Sequence, residues 1–321
     1  MNGFEKPIIL ISRCIGFEAC RYNGGIVKDD FIQNLGKYVN FISVCPEIEI
    51  GMSTPRDPIR LVKKENQIRL VQPKTGKDYT KSMEKFSKEF LDNVGEIDGC
   101  ILKSRSPSCG IKDVKIYNSI DKGSASSKGK GIFGTILIDK ILGIAIEDDG
   151  RLKDFDIREH FLTKVFIMYE FRKVKQKRKI NELMEFHKKN NLLFLMYNKS
   201  RLNILNNIIS KGKVECIDEI LNDYENTLKL IFIRNARNTS KNNLLLTVFK
   251  RFSYKVSEEE RKFVLKTIEK HKEGHIPYSV PLYLIKSYAF RFNDIEIIDQ
   301  SLFNPYPEEL VEMRDSGKAL T

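Results

Sequence analysis

The sequence predicts an α/β protein: a Rossmann-like layered sheet domain followed by an all-α helical domain. Short apolar runs in the first half are typical of buried strands, and segments of helical periodicity separate them. From Arg158 onward, helical periodicity dominates the chain. We therefore expect a βαβ-type fold with right-handed crossovers in the first half. The predicted domains are residues 1–155 and 156–321.

Three of the predicted strands each lead to a cysteine. Ligands of an open α/β sheet bind outside the carboxyl ends of its strands. Thiols that follow three such strands can therefore meet in space, although 31 and 64 residues separate them along the chain. The three runs and their cysteines are Pro7–Ser12 with Cys14, Val39–Val44 with Cys45, and Asp98–Lys103 with Cys109.

The intervening segments supply the other elements of the first domain. Apolar spacing predicts the helices, and the run from Arg60 to Val71 suggests a small hairpin. Leu142–Ile146 is predicted to be the last strand of this domain. The predicted helices are Asp29–Tyr38, Lys81–Val94 and Ile132–Lys140.

The segment Asp121–Gly131 is rich in glycine, serine and lysine, which predicts a flexible loop. A loop of this composition can close over an anionic ligand, or it can remain a disordered surface segment. It does not match the Walker A pattern for nucleotide phosphates.

The second half is predicted to be a bundle of helices with apolar and lysine-rich faces. Breaks are expected at Gly212, at Asn238–Ser240 and at Gly274–Pro277. Ser257 to Glu260 resembles a capping box that begins the last helix. The predicted helical stretches are Glu159–Tyr197, Asn203–Ile209, Val214–Ile233, Asn242–Phe252 and Ser257–His271.

Composition narrows the class of protein. The content of 41% apolar and 31% charged residues is that of a soluble globular protein, and six cysteines without a secretion signal favour reduced thiols or metal ligands over disulfides. No apolar run approaches the ~20 residues that span a bilayer, so we expect a cytoplasmic protein without membrane contact. Residues 1–150 carry a net charge of +3 and the remainder +9, an excess that attracts phosphates or forms a solvated lysine-rich surface.

The neighbours of the three cysteines include side chains suited to chemistry. Pro46 ends the second strand and places Glu47 at the edge of the sheet. Ser106 and Ser108 flank Pro107, which makes the approach to Cys109 a fixed turn with two hydroxyls. No C-x-x-C pair occurs in the chain, so the spacing is not that of a zinc knuckle.

Two further residues near these cysteines have more than one interpretation. Cys20 could compete as a ligand, act as a spare reactive thiol or simply pack as a small hydrophobic side chain. Prolines on both sides stiffen the loop that carries Arg56. Its guanidinium could bind a carboxylate or phosphate of a ligand, or form a salt bridge with Glu47 or Asp57.

Three segments of the first half, in this order, resemble the thiouracil desulfidase family. They are C-I-G-F-E-A-C-R-Y-N-G-G, C-P-E-I-E-I-G-M-S-T-P-R-D-P and I-L-K-S-R-S-P-S-C-G, which begin at Cys14, Cys45 and Ile101. The resemblance implies an oxygen-sensitive [4Fe-4S] cluster held by Cys14, Cys45 and Cys109, with the fourth iron open to the sulfur of a thiolated pyrimidine. It also implies that Glu47 and Ser106 are catalytic.

The basic residues Arg21, Arg56, Lys103 and Arg105 lie near these motifs and favour a phosphorylated substrate, thiouridine monophosphate, over free thiouracil. Two other functions fit the sequence. The chain could be a nucleic-acid-binding module with a structural zinc or no metal, whose basic helical domain docks the nucleic acid. It could also hold the cluster and act on a thiolated base within tRNA, with the helical half binding the RNA. The sequence does not indicate an oligomeric state.

The second half resembles a helical domain of unknown function that often follows desulfidase-like domains. Phe186–Tyr197 and Gln300–Leu310 carry this resemblance, which implies no defined chemistry. His187 could be a ligand or base, but a single histidine on an amphipathic helix is more often packed or exposed. Cys216 is interpreted as structural.

Overall fold

The computed structural model of the protein describes residues 6–65, 67–121, 123–211 and 216–311. The chain forms two compact units, Met1–Tyr169 and Glu170–Thr321. All strands among the described residues lie in the first unit, and the second unit is helical. This arrangement confirms the predicted α/β class followed by an all-α class. The units divide within one long helix that begins at Phe155, and the domain boundary at residue 155 stays a prediction.

The first unit contains eight described strands and the helices α1 to α5, the last of which crosses the division. The strands are β1 (Ile8–Ser12), β2 (Asn40–Val44), β3 (Arg60–Lys64), β4 (Gln67–Val71), β5 (Gly99–Leu102), β6 (Val114–Tyr117), β7 (Ser126–Gly129) and β8 (Ala145–Asp148). The helices are α1 (Asp30–Leu35), α2 (Pro46–Glu49), α3 (Thr80–Asn93), α4 (Ile132–Lys140) and α5 (Phe155–Lys177).

The first sheet is parallel and has the strand order β2-β1-β5-β8. All five residues of β1 and all four of β5 are buried, which explains their continuous apolar sequence. The three predicted cysteine-linked strands are present, and the last strand begins at Ala145, three residues later than predicted. Because β2 and β5 flank β1 on opposite sides, the carboxyl end of β1 is the point where the chain changes direction across the sheet.

The second sheet has the strand order β4-β3-β6-β7. The predicted hairpin is confirmed as the antiparallel pair β3–β4, and β3 pairs in parallel with β6. The prediction of a flexible loop over Asp121–Gly131 is wrong at its second half, because β7 pairs there with β6. This edge strand is polar and mostly exposed, so it lacks the apolar alternation that signals a strand.

Close packing fixes α5 against the first sheet. A Cβ atom on Gly99 of β5 would lie 2.8 Å from a methyl group of Val165, so only glycine fits at this contact. The predicted helices α3 and α4 are confirmed within one residue. Helix α1 is shorter than predicted because it ends at Leu35, before Gly36.

The second unit contains six described helices after α5. The predicted stretch Glu159–Tyr197 belongs to two helices, since Arg178 adopts a left-handed conformation with φ of 53° between them. The predicted break at Asn238–Ser240 is wrong, because α8 begins there. The predicted break at Gly212 and the helix start at Val214 lie outside the described residues. The helices are α6 (Ile180–Lys211), α7 (Ile217–Ile231), α8 (Asn238–Phe249), α9 (Glu258–Lys272), α10 (Ser279–Arg291) and α11 (Ile295–Ile298).

Local capping and a polar contact in the core stabilise this unit. Ser257 and Glu260 form the predicted capping box at the start of α9. His187 is buried, with its Nδ1 3.0 Å from the hydroxyl of Tyr224 and its Nε2 2.8 Å from Oδ1 of Asn206. Burial lowers the pKa of His187, and the hydrogen bond to Asn206 opposes this shift. The contacts of His187 are those of a packed core histidine.

Candidate active site

A cavity of about 840 Å³ lies at the carboxyl ends of β1, β2 and β5. Cys14, Cys45 and Cys109, which follow these three strands, all contribute to its lining. The cavity therefore brings together the three cysteines that the sequence places far apart. Residues of the second sheet, among them Arg60 and Tyr117, complete another part of the lining.

The three cysteines are reduced and largely shielded from solvent. Their exposed fractions are 9% for Cys14, 5% for Cys45 and 5% for Cys109. Burial, followed by the charges of Cys45 and Glu47, raises the pKa of Cys14 to about 12. Burial and Glu47 likewise raise the pKa of Cys45 to about 12, and the same two causes raise the pKa of Cys109. Without a bound cation, this site keeps its cysteines as neutral thiols.

Cys20 joins the three cysteines in the lining of the same cavity. It is 1% exposed, and its thiol is within hydrogen-bonding range of Cys45. Burial raises the pKa of Cys20, and the hydrogen bond with Cys45 opposes this rise. Cys20 is thus a neighbour of the three-cysteine group. The spacing of the cysteines in the sequence did not reveal this position. Cys100 differs because its side chain is fully buried in the apolar core of the unit.

The arrangement of donors bears on the kind of metal group that could bind. Among the described residues, no three His, Cys, Asp or Glu side chains are grouped so that they could hold one metal ion. Cysteine thiolates are the usual ligands of iron–sulfur clusters, whose several irons do not require the ligands to meet at one ion.

The turn that carries Cys109 is held by the beginning of α4. Backbone amides of Gly131, Ile132 and Gly134 donate to carbonyl oxygens of Gly110, Pro107 and Ser108 at 2.7, 3.2 and 3.0 Å. The approach is so close that a Cβ on Gly131 would lie 2.3 Å from the carbonyl oxygen of Ser108. A Cβ on Gly134 would lie 2.8 Å from that of Cys109. Gly131, which precedes α4, and Gly134 within the helix thus fix the position of the third cysteine.

Glu47 lies in the cavity on the short helix α2, which Pro46 begins at its first position. One carboxylate oxygen, Oε2, accepts a hydrogen bond from Nη2 of Arg56, and it lies 3.9 Å from Sγ of Cys45. The other oxygen, Oε1, accepts a hydrogen bond from the hydroxyl of Ser108. The carboxylate is therefore held on both sides beside the cysteine group.

Ser106 and Ser108 occupy the turn before Cys109. Oγ of Ser106 accepts hydrogen bonds from the backbone amides of Cys109 at 3.1 Å and Ser108 at 3.3 Å. The two hydroxyl oxygens are 3.2 Å apart. Ser108 is fully buried, and its contact with Glu47 was not evident from the sequence, where the two serines of S-P-S look equivalent.

Two of the four cations predicted near the substrate, Arg56 and Lys103, form ion pairs with carboxylates of the protein. Nη2 of Arg56 binds Glu47, and Nη1 donates to oxygens of Cys20, Ser53 and Thr54 at 3.1 to 3.2 Å. This is the salt bridge to Glu47 that the sequence left open. Nζ of Lys103 donates to Asp149 at 2.5 Å.

The other two predicted cations, Arg21 and Arg105, also line the cavity. Within the described part of the chain, the side chains of Arg21 and Arg105 form no salt bridge or hydrogen bond. Sequence reasoning missed four further cations in the lining. Arg60, Lys115 and Lys128 come from the second sheet, and Arg13 directly follows β1. The guanidinium of Arg60 lies 4.8 Å from the ring centre of Tyr117.

None of the described helices combines the length and the apolar character needed to cross a membrane. The fold and the cavity place the first unit among α/β proteins whose ligand site lies at the carboxyl edge of a parallel sheet. A family model described as 2-thiouracil desulfurase matches residues 9–149, and one described as a protein of unknown function, DUF1722, matches residues 191–307.

One relative is YbbK of Bacillus subtilis (strain 168), described as uncharacterized. It is 30% identical over 154 residues, which cover 46% of this chain and 99% of YbbK. The chain belongs to the 2-thiouracil desulfurase family. A solved structure of [4Fe-4S]-dependent thiouracil desulfidase TudS (DUF523Vcz) is 26% identical and matches 46% of this chain and 94% of that chain, with a TM-score of 0.37.

Proposed function

We propose that the protein is a [4Fe-4S]-dependent desulfidase that removes sulfur from a thiolated pyrimidine, and that Cys14, Cys45 and Cys109 hold the cluster. The observation that carries the proposal is the meeting of these three buried thiols with Glu47 in one cavity of a 2-thiouracil desulfurase family member. The products are the corresponding pyrimidine carbonyl compound and inorganic sulfide.

The donor set suits such a cluster. Three cysteines supply three ligands for four irons, so one iron has no protein ligand in this assignment. When bound, a cluster of this kind would supply a thiophilic Lewis acid for the sulfur of the substrate. An iron without a protein ligand would also make the loaded protein sensitive to oxygen.

Glu47 is assigned as the general base. Its carboxylate lies in the cavity beside Cys45, and it takes a proton from the water that attacks the thiocarbonyl carbon. Ser106 donates a proton to the ring nitrogen or to the departing sulfur. The bond to sulfur breaks and a bond to the oxygen of water replaces it. The overall reaction is a hydrolysis without net electron transfer.

The charge of the cavity favours a nucleotide over a free base. Arg21, Arg105 and Lys115 line it, and none has a salt bridge partner among the described residues. These cations suit the phosphate of a thiouridine monophosphate. Arg56 and Lys103 are assigned instead to the support of Glu47 and Asp149. We expect a higher kcat/KM for the monophosphate than for thiouracil. Equal values, or a preference for the free base, would contradict this substrate assignment.

Anaerobic reconstitution with iron and sulfide tests the cluster ligands. The variants Cys14→Ala, Cys45→Ala and Cys109→Ala should each bind less iron and lose the broad absorbance near 400 nm expected of a cluster. Cys216→Ser, which alters an exposed cysteine of the second unit, serves as the matched control and should load fully. Full clusters in all three alanine variants would overturn the assignment.

Turnover of a thiopyrimidine by the loaded protein tests the catalytic roles. Glu47→Gln removes the base while it keeps the size of the side chain, so the variant should retain its cluster and lose activity by about 10²- to 10⁴-fold. If Glu47→Gln instead releases sulfide as fast as the unaltered protein does, another group is the base.

A further inference from the structure

We infer that Ser108 is a proton relay between Glu47 and Ser106, so that the proton taken from water at one residue is delivered to the substrate at the other. The inference rests on the proposed function, to which it adds a residue. It starts from the contact of the Ser108 hydroxyl with Oε1 of Glu47 and its separation of 3.2 Å from Oγ of Ser106.

The contacts of the three side chains define the direction of their hydrogen bonds. A hydroxyl has one hydrogen to donate and two lone pairs that accept. Oγ of Ser106 already accepts from the amides of Cys109 and Ser108, so its hydrogen is what remains to be shared. The hydrogen of Ser108 points to the carboxylate of Glu47, and its lone pairs face Ser106. At rest, the chain of donors therefore runs from Ser106 through Ser108 to Glu47.

Reversal of this chain moves one proton. When Glu47 takes a proton from the attacking water, it becomes the donor to Ser108. Ser108 then donates to Ser106, where its hydroxyl replaces the longer hydrogen bond from the amide of Ser108, and Ser106 gives its own proton to the substrate. One proton enters at Glu47 and one leaves at Ser106. Each hydroxyl breaks one O–H bond and forms another, so both serines end the step unchanged.

The surroundings of Ser108 favour this path over exchange with bulk water. Ser108 is fully buried, and the amide of Gly134 in α4 holds its carbonyl oxygen at 3.0 Å. Arg56 holds the opposite oxygen of Glu47. Both ends of the Ser108–Glu47 contact are thus fixed, and Ser108 acts through its two neighbours rather than on the substrate itself.

The variants Ser108→Ala and Ser108→Thr test the relay in the loaded protein. Alanine removes the hydroxyl, so kcat should fall by about 10²-fold or more while KM and iron content remain near those of the unaltered protein. Threonine restores a hydroxyl and should recover most of kcat. The solvent deuterium isotope effect on kcat should rise in Ser108→Ala, because the interrupted proton transfer becomes rate-limiting.

Ser87→Ala is the matched control, since Ser87 is also fully buried and lies outside the cavity lining. Among the described residues, its hydroxyl bonds only to the backbone oxygen of Met83. It should leave kcat and the isotope effect unchanged. A Ser108→Ala protein with a full cluster and a kcat within twofold of the unaltered protein would overturn the relay.

A measurement independent of turnover separates this inference from the proposed function. With ¹³C-labelled glutamate, the infrared carboxylate band that disappears in Glu47→Gln identifies Glu47. Ser108→Ala should shift this band and Ser87→Ala should not, in protein with or without iron. An unshifted band would overturn the relay, whereas a shifted band in a loaded protein without desulfidase activity would overturn the proposed function alone.

Discussion

Arg56 and Glu47 form an ion pair in which the guanidinium side chain is 4% exposed and the carboxylate side chain 14%. The pair joins the loop after β2 to the loop after β1, because the same guanidinium also donates to the carbonyl oxygen of Cys20 and the amide of Arg56 donates to that of Tyr22. It therefore holds the carboxylate and the backbone around Cys20 in one arrangement.

Substitution of Arg56 should lower the stability of the protein. Arg56→Ala leaves a largely buried carboxylate without its partner, so we expect a loss of about 3 kcal/mol in the free energy of unfolding. Arg56→Lys should recover only part of this loss, since an ammonium group cannot reproduce the guanidinium contacts. Chemical denaturation of both variants gives the comparison.

The exposed pair of Lys74 and Asp57 provides the control for Arg56. The side chain of Lys74 is 74% exposed, so Lys74→Ala should cost less than about 1 kcal/mol. A similar cost for Arg56→Ala would mean that the Glu47 carboxylate is satisfied without the guanidinium.

The raised pKa values of Cys14 and Cys45 predict the pH dependence of thiol modification in protein stripped of iron. With each pKa at about 12, the reactive thiolate is scarce at neutral pH, and its fraction grows about tenfold for each pH unit. Alkylation of both cysteines should therefore still accelerate between pH 8 and pH 10, as measured by mass spectrometry of peptides. A rate that levels off below pH 9 would refute the predicted pKa, and exposed Cys216 reports the reactivity of an accessible thiol.

Gly134→Ala should displace the Cys109 turn while all three proposed cysteine ligands remain in the chain. The new methyl group would lie 2.7 Å from the carbonyl oxygen of Gly110 and 2.8 Å from that of Cys109, so the cysteine turn must shift. We expect lower iron retention after reconstitution and a loss of stability of about 1–3 kcal/mol. Asp139→Ala, an exposed position on the same helix, should retain iron as the unaltered protein does. Equal iron content in the two variants would contradict the role of α4.

Burial of His187 predicts that the second unit loses stability in mild acid. The pKa of His187 is lowered below its ordinary value of 6.5 in the folded protein, so the unfolded chain binds a proton first as the pH falls. The contribution of His187 is therefore complete above about pH 6.5 and declines below it. Hydrogen exchange around Tyr224 should accelerate from pH 7 to pH 5.5 beyond the intrinsic change.

His187→Gln should remove this extra pH dependence, because glutamine does not titrate. His275→Gln alters a histidine whose side chain is 69% exposed and should preserve it. The same pH response in His187→Gln would assign the effect to other groups.

The sequence was informative where burial imposes a simple pattern. β1 and β5 are covered on both faces, and their continuous apolar runs and the cysteines after them could be identified directly. The polar strand β7 gave no such signal, because only its pairing with β6 stabilises it. The helix end at Arg178 was missed for a similar reason, since a single left-handed residue interrupts an otherwise regular apolar spacing.

The site was predictable in its residue types and less so in its contacts. The resemblance to the desulfidase family pointed to Cys14, Cys45, Cys109, Glu47 and Ser106. The direction of the Ser108 side chain depends on the conformation of the S-P-S turn, which the order of residues does not encode in a simple pattern. Arg60 and Lys115 reach the cavity through a second sheet that only the folded chain brings into place.

The grip of α4 on the Cys109 turn has a consequence for biosynthesis. A nascent chain that has left the ribosome only as far as Cys109 already carries all three proposed ligands, yet it lacks Gly131 and Gly134, whose amides fasten that turn. A cluster delivered to such a chain would encounter a Cys109 turn that these hydrogen bonds do not yet hold in place. Productive loading should therefore wait until translation has passed α4, whose last residue, Lys140, lies 31 residues after Cys109.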